Sequence, residues 1–560
     1  MDYFSLFPLV CALITSLIAY QYWRSLQFVH FMPGLRPLLS PLSPFGMLLP
    51  NHNLLNPGST WYWSARNSSY LNKTHDIISI VPLLGSVSYY TCSFDVMKQI
   101  LSADIRLQIE KPYDMTLERL FGPSLASVNG ESWRRHRRVV HPAFSNKLRV
   151  QNQSLSDNFS SSVTFYSYES IGNEVAKIYQ SMMESEDWRD CKQIDFLESH
   201  NFMLKFTLCI ISKCGFGIDA SWNAISSSEK LETHLNHLQA QHYRQKGFTL
   251  PEALRIVSQT LIPRIILPNW VYAVPIEGLQ RMGESWNDLS LYIRTAINDK
   301  DLVNHVFKDG DTQDPRECNK DNLLTRLVTS WTLSKSEKYS LSENEVIGNM
   351  YTLMFAGHET TASALVSVFA LLAIHQDIQE KAFNEITVVQ AAPTFESKNI
   401  DVNKMTFTKF CLWEALRLYP SANFLPRELT QDMTVDVQMP GPQKVILHKG
   451  SWIMFDLISI FRNPHTFPQP NDFKPERWNG IAEHEVGMFG VGPRACIGRK
   501  FAQVEALHIL SIILTSWKID ILTRPDENRE MYKERVLDDA GQVGTAFGLR
   551  SVPLRLIRRF

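Results

Sequence analysis

The sequence predicts a mainly α-helical protein with small β-sheets, an α+β chain built as one large domain behind an N-terminal membrane-spanning helix. Three observations carry that expectation. Residues Tyr3 to Trp23 contain no charge, a run long enough to span a bilayer core of roughly 30 Å. A second apolar run, from Ser342 past Phe369 towards Ile374, reads as one long helix for the middle of a large core. Cys496 stands in a turn-forming loop, Phe489-Gly490-Val491-Gly492-Pro493-Arg494-Ala495-Cys496-Ile497-Gly498, ahead of a largely apolar stretch from Phe501 to Ile513.

The chain has 560 residues, 44% of them hydrophobic, and a formal net charge of -1. That balance argues against a nucleic-acid partner, which calls for a basic excess. Eight cysteines are scattered without a Cys-x-x-Cys pair, against a disulfide framework or a zinc site. Asp2 precedes the uncharged run and Tyr20-Gln21-Tyr22-Trp23 closes it, unlike a cleaved signal peptide. Arg24 and Arg36 follow, so the positive-inside bias places the remaining chain in the cytosol. Residues 1–23 are therefore read as a transmembrane anchor, 24–60 as a proline-rich linker and 61–560 as the catalytic body. With this orientation the glycosylation sequons at Asn67, Asn72, Asn152 and Asn158 are chance matches.

Within the body, Ile77 to Leu83 and Val87 to Cys92 read as strands, and the serine-rich stretch from Ser145 to Ser170 as a loop. Ile194 to Cys214 looks helical. Gly247 to Val274 combines prolines with Leu and Ile, as a membrane-touching or entrance segment would. Lys308 to Asp321 is charged without apolar periodicity and reads as a surface loop. Ser342-x-x-Glu345 is a capping box opening the long helix. Another helix runs from about Phe407 to Tyr419 and stops at Pro420.

A single cysteine is most often a small buried hydrophobe. Around Cys496, however, glycines allow a tight turn near something flat, and the next helix start favours negative charge on sulfur. Arg494 can pair with carboxylates there. The pattern Phe-x-x-Gly-x-Arg-x-Cys-x-Gly resembles the haem-ligand loop of the cytochrome P450 family. The resemblance spans the chain from the proline hinge to the C-terminus. It implies the P450 fold, with haem b between the long central helix and the cysteine loop, Cys496 as axial iron ligand and Phe489 as a cofactor contact.

Other motifs gain meaning from that resemblance. Ala356-Gly357-His358-Glu359-Thr360-Thr361 puts an acid and hydroxyls inside an apolar helix, which is costly without hydrogen bonds; a threonine donating back to helix carbonyls is the bland alternative. It is similar to the family's oxygen-activation motif, which implies that Thr360 hydrogen-bonds dioxygen and Glu359 relays protons. Ala356 and Gly357 are small enough for a flat cofactor to press against. Glu414 and Arg417 lie three apart on an apolar helix, where an ordinary surface pair is the bland alternative. The family's Glu-x-x-Arg pair is joined by an arginine from a Pro-Glu-Arg segment, which implies a structural triad of Glu414, Arg417 and Arg477. Trp133 and Arg137, in the basic run Trp133 to Arg138, match the family's propionate-binding helix, and Arg427 and Arg494 are further propionate candidates. The remaining arginines of the run would face an acidic electron donor.

The implied activity is insertion of one oxygen atom from O2 into a lipophilic small molecule, at the endoplasmic reticulum membrane. The implied partners are NADPH-cytochrome P450 reductase, with cytochrome b5 as a second donor, and membrane lipid. The length after the anchor suits one haem domain without flavin domains. Pocket segments by analogy are Ile105 to Ser127, Gly247 to Val274, Ser421 to Leu425 and Gly544 to Leu549; their apolar content points to a lipophilic ligand, and the resemblance to fungal relatives implies a terpenoid or other secondary-metabolite substrate. The long inserts are of a fungal kind. Phe461 stands before Arg462-Asn463-Pro464 where many relatives carry histidine. The competing classes are a reductase-independent haem-thiolate isomerase or dehydratase, against which the Glu359-Thr360 pair speaks, and a non-catalytic haem sensor.

Overall fold

The computed structural model describes residues 3–41, 43, 46, 49, 52, 55–58, 61–66, 74–101, 109–110, 118–144, 168–217, 222, 247–298, 323–332, 339–390 and 400–560. The four sequons, the loop residues 145–167 and the charged segment 308–321 lie outside them, as do parts of the first pocket segment. The chain divides into two compact units. Met1–Met115, Ala422–Asp472 and Gly490–Ala495 form the first, and Thr116–Ser421, Phe473–Phe489 and Cys496–Phe560 the second.

The first unit is built on a six-stranded sheet of β1 (Gly34–Leu35), β2 (Ile77–Ile80), β3 (Ser88–Thr91), β4 (Ile109–Glu110), β6 (Phe424–Leu429) and β9 (Trp452–Asp456). The order is β1-β2-β3-β9-β6-β4. β2 and β3 are buried at every position, as their β-branched and aromatic residues favour. A separate hairpin pairs β7 (Met433–Val437) with β8 (Gln443–Leu447). In β7 Met433, Val435 and Val437 are buried while Thr434 and Asp436 face out.

Helix α1 (Tyr3–Phe28) runs five residues past the uncharged segment, and Leu9 (69% exposed) and Leu13 (63%) leave its apolar surface open. The proline-rich linker after it is not a free spacer throughout. Gly34–Leu35 is already a strand paired with Ser79 and Ile80, and the Arg36 guanidinium donates to the Ser79 and Met32 carbonyls at 3.0 and 2.5 Å. An exposed-looking arginine thus becomes a staple for the sheet edge. α2 (Phe94–Leu101) inserts Val96, Met97, Ile100 and Leu101 into the core. Phe461, at the position where relatives carry histidine, is fully buried between the Phe94 and Phe467 rings.

The second unit is helical: α3 (Gly130–Val140), α4 (Tyr168–Ser185), α5 (Ser199–Ile210), α6 (Leu250–Gln259), α7 (Glu277–Ile297), α8 (Leu323–Thr332), α9 (Glu343–Ile374), α10 (Gln376–Gln390), α11 (Thr406–Leu418), α12 (Arg499–Ser516) and α13 (Arg529–Asp538). Two small sheets complete it, β10 (Trp517–Ile521) with β13 (Leu554–Arg558) and β5 (Gln193–Phe196), and the hairpin β11 (Ala540–Val543) with β12 (Ala546–Leu549). The expected helix from Ile194 therefore begins as a strand. Ile194 turns inward while Gln193 and Asp195 face out, and Arg555 of β13 grips Asp195 at 2.7 and 2.8 Å. Only from Ser199 does the helix start, ending in a single π-turn at Ile211–Gly215.

α9 is the core of this unit. Among the described residues it is the one helix long and apolar enough to cross a membrane, but 83% of its apolar window is buried inside the protein. Its capping box is formed: Ser342 N donates to Glu345 Oε2 at 2.8 Å, and Glu345 N to Ser342 Oγ at 3.4 Å. Glu345 also accepts from buried His136 of α3 at 3.1 Å and from Arg135. Burial raises the Glu345 carboxyl, yet the bonds from His136 and Ser342 outweigh it and bring the group down to about 2.

Candidate active site

The cysteine loop closes on itself. Cys496 N donates to Phe489 O at 2.8 Å and Ala495 N to Gly492 O at 3.1 Å. Gly492 adopts φ +74°, and a Cβ there would fall inside the Leu101 carbonyl oxygen, so the loop needs glycine twice over. α12 starts at Arg499, immediately after Gly498. Cys496 is open to space. Protein nevertheless surrounds it closely enough for burial to push its thiol up, against the Gly498 amide and the Arg499 charge. Both hold for a sulfur on the floor of a deep hollow. The helix start therefore does not stabilise the thiolate unaided, and a cation at the sulfur would complete the balance. Phe489 is half-buried beside it in sequence.

The middle of α9 breaks its own burial pattern. Met354, Phe355, His358 and Glu359 are buried, but Ala356 is exposed and Thr360 half-buried, so one face of a core helix looks onto open space. Thr360 Oγ1 donates back to Ala356 O at 2.8 Å. Gly357 serves another purpose than a cofactor face. A Cβ there would meet Ile211 Cγ1 at 2.7 Å, so its smallness lets α5 close against α9. Thr207 Oγ1 of α5 reinforces that contact by donating to His358 O at 3.0 Å. Glu359 reaches the turn of the β11–β12 hairpin, where Thr545 N donates to Oε2 at 2.6 Å and the Thr545 hydroxyl donates to the same oxygen. His358 Nδ1 lies 2.7 Å from Met354 O, and burial holds its imidazole below the ordinary histidine range.

In the basic run, partners sort the charges. Arg134 and Arg138 pair with Glu131, and Arg135 and His136 with Glu345. Arg137 pairs with no acid among the described residues. It lies over the Trp133 ring, 5.4 Å from its centroid, and burial lowers its pKa. Because the neighbouring arginines already hold carboxylates, the surface they offer an acidic donor is partly neutralised. In the first unit, Arg427 is buried, donates to its own Pro426 O at 2.7 Å, and is pulled down to about 10 by burial. Arg494 is half-buried in the same unit.

Glu414 and Arg417 are fully buried. Arg417 Nε and Nη2 donate to the two Glu414 oxygens at 2.9 and 2.8 Å, and Arg477 Nε donates to Oε1 at 2.8 Å. Two further donors were not read from sequence, Trp478 Nε1 at 3.0 Å and Lys474 N at 3.0 Å. Each follows Arg477 or precedes it on one short turn, so the Pro-Glu-Arg-Trp segment could have suggested Trp478. His200 of α5 was also missed. It is buried with neither ring nitrogen bonded among the described residues, and burial brings it down to about 4.

These residues suit a haem. A single soft sulfur donor is exposed, a half-buried guanidinium pairs with no acid among the described residues, and Ala356 opens a small-residue face on a buried helix. A thiolate ligand, anion-binding arginines and a flat wall are what that cofactor requires.

The sequence profile of the family described as Cytochrome P450 matches residues 64–539. Cytochrome P450 monooxygenase 124 of Postia placenta is 26% identical over 544 residues, covering 95% of this chain and 94% of that protein. Cytochrome P450 4F12 of Homo sapiens is 24% identical, covering 82% of this chain and 83% of that one. Among solved structures, a cytochrome P450 (CYP102L1) aligns at a TM-score of 0.62 with 20% identity, covering 87% of this chain and 95% of that one. A zebra fish cytochrome P450 solved with progesterone aligns at 0.61 with 19% identity, covering 90% and 100%.

Proposed function

The chain belongs to the cytochrome P450 family and is a haem-thiolate monooxygenase, and from that premise we propose that it oxygenates a lipophilic small molecule at a membrane, with electrons from an NADPH-cytochrome P450 reductase. The observation that carries this reading is the pairing of an open Cys496 sulfur with an open Ala356–Thr360 face on a helix otherwise buried.

When bound, haem supplies the redox chemistry that activates dioxygen, with thiolate ligation favouring O–O cleavage. Cys496 Sγ would hold the iron, and the loop hydrogen bond from its own amide to Phe489 O fixes the backbone that carries the sulfur. Trp133 and Arg137 would hold the cofactor's carboxylates, a half-buried guanidinium without an acid gaining most from such a partner, and Arg427 and Arg494 are further candidates for that role. Ala356 offers the flat wall. The Thr360 hydroxyl moves a proton at Oγ1 after leaving the Ala356 carbonyl, and Glu359 passes protons to it from solvent. The Glu414, Arg417 and Arg477 triad orders the core without taking part in the reaction.

We infer membrane attachment from surface chemistry. The exposed leucines of α1 need lipid, and in the second unit Trp270 (70% exposed) and Ile276 (54%) present a further apolar surface. This supports a single-pass anchor in the endoplasmic reticulum with the catalytic domain in the cytosol, and delivery of substrate from the bilayer. Terpenoids or related secondary metabolites are the substrates proposed, with cytochrome b5 as a second electron donor.

The test is reconstitution of the haem-loaded protein with NADPH reductase and a panel of terpenes, fatty acids and aromatics under labelled O2. The expected result is a terpenoid product carrying one labelled oxygen, with NADPH consumed. Activity confined to fatty acids would reject the terpenoid proposal. Conversion without NADPH would point instead to an isomerase or dehydratase, and substrate-tight binding without NADPH consumption to a sensor.

A further inference from the structure

We propose that Thr545, at the turn of the β11–β12 hairpin, is a positioning residue that seats the Glu359 carboxylate by one oxygen and leaves the other to carry the proton. The inference rests on the proposal that Glu359 is the proton carrier for Thr360.

Glu359 is 2% exposed, and a buried carboxylate is costly unless donors meet it. Both of its recorded donors come from one residue, the Thr545 amide at 2.6 Å and the Thr545 hydroxyl, and both converge on Oε2. Oε1 receives no protein donor among the described residues. The seat beneath the carboxylate is an absent side chain. Gly544 adopts φ +62°, and a Cβ there would stand 2.8 Å from Oε1 and 2.9 Å from Oε2. Any other residue would push the carboxylate out.

The hairpin that carries this seat is itself tied to α9 in the turn that follows Glu359. Ser363 Oγ, one turn later on the helix, donates to Phe547 O at 2.7 Å. Phe547 N donates to Ser421 O at 2.8 Å, and Ser421 Oγ donates to Thr360 O at 2.9 Å. Thr545 therefore cannot drift from Glu359 without breaking contacts at residues 360 and 363. A held Oε2 restricts the carboxylate to rotation about that anchor, so Oε1 is the atom free to take a proton from water and hand it on.

The test compares Thr545→Val, Thr545→Ser and Glu359→Gln in the haem-loaded enzyme. Two readouts are taken: the Glu359 carboxylate infrared band, identified by its loss in Glu359→Gln, and the product formed per NADPH. Thr545→Val keeps the amide and the volume but removes the hydroxyl. It is expected to shift the band and to lower product per NADPH by about tenfold or more, the factor one hydrogen bond to a charged group carries. Thr545→Ser restores both. A Thr545→Val protein with wild-type band and coupling, beside a Glu359→Gln protein that has lost coupling, overturns the role of Thr545 alone. Wild-type coupling in Glu359→Gln overturns the proton-carrier reading and this inference with it. Should Thr545→Val not fold, Thr545→Ala makes the same comparison at smaller volume.

Discussion

Glu414→Ala is expected to yield little folded protein, because it takes the shared carboxylate away from one fully buried and one half-buried guanidinium. Arg417 is fully buried and its Nε and Nη2 both donate to Glu414; Arg477 Nε, Trp478 Nε1 and Lys474 N donate there as well. Removing one member of a buried ion pair costs about 3–5 kcal/mol, since the remaining charge keeps its desolvation penalty without its partner. That is a large part of the roughly 5–15 kcal/mol that stabilises an ordinary fold. The measurement is soluble yield and thermal unfolding beside wild type, with Lys381→Ala as a surface control. Lys381 meets Glu476 between two exposed side chains, so its loss should leave unfolding almost unchanged. Wild-type unfolding in Glu414→Ala would show that the network is incidental to stability.

Gly492→Ala is expected to cost the protein its haem before it costs the fold. A Cβ at this position meets the Leu101 carbonyl oxygen, a backbone atom that cannot rotate away, and φ +74° adds strain for any L side chain. Backbone strain of this kind amounts to roughly 1–3 kcal/mol, and overpacking adds about 1–3 kcal/mol. The loop can relieve the clash only by moving, which carries Ala495 and the Cys496 sulfur with it. Haem per polypeptide should fall severalfold while far-ultraviolet circular dichroism stays that of wild type. Gly441→Ala is the matched control, since a Cβ at Gly441 meets nothing within 4 Å and its φ is not in the left-handed region.

What could be read in advance depended on whether the interaction is local in sequence. The cysteine loop is a ten-residue pattern whose turn chemistry is its own, and the capping box from Ser342 to Glu345 spans four residues, so both were legible. The Glu414 and Arg417 pair showed itself by its spacing on an apolar helix, although its fourth and fifth donors required the folded position of Lys474 and Trp478. Glu359 was legible as an acid out of place in an apolar helix, but its seat was not. Thr545 lies 186 positions away and carries no pattern of its own. Gly357 was read as room for a cofactor, whereas the neighbouring helix needs the space for Ile211. The strand at Gln193–Phe196 was missed because four alternating residues before a long helix give too short a period to separate from it. The linker was read from its prolines alone, while Gly34 to Arg36 between them carry the sheet edge.

The account turns on the Cys496 sulfur as iron ligand, and a reduced, carbon monoxide difference spectrum of wild type and Cys496→His tests it most directly. Wild type is expected to show the strongly red-shifted Soret band of thiolate-ligated haem, and Cys496→His to lose it while keeping haem. A folded, haem-loaded wild type without that band, or a histidine variant that retains it, would contradict thiolate ligation by Cys496.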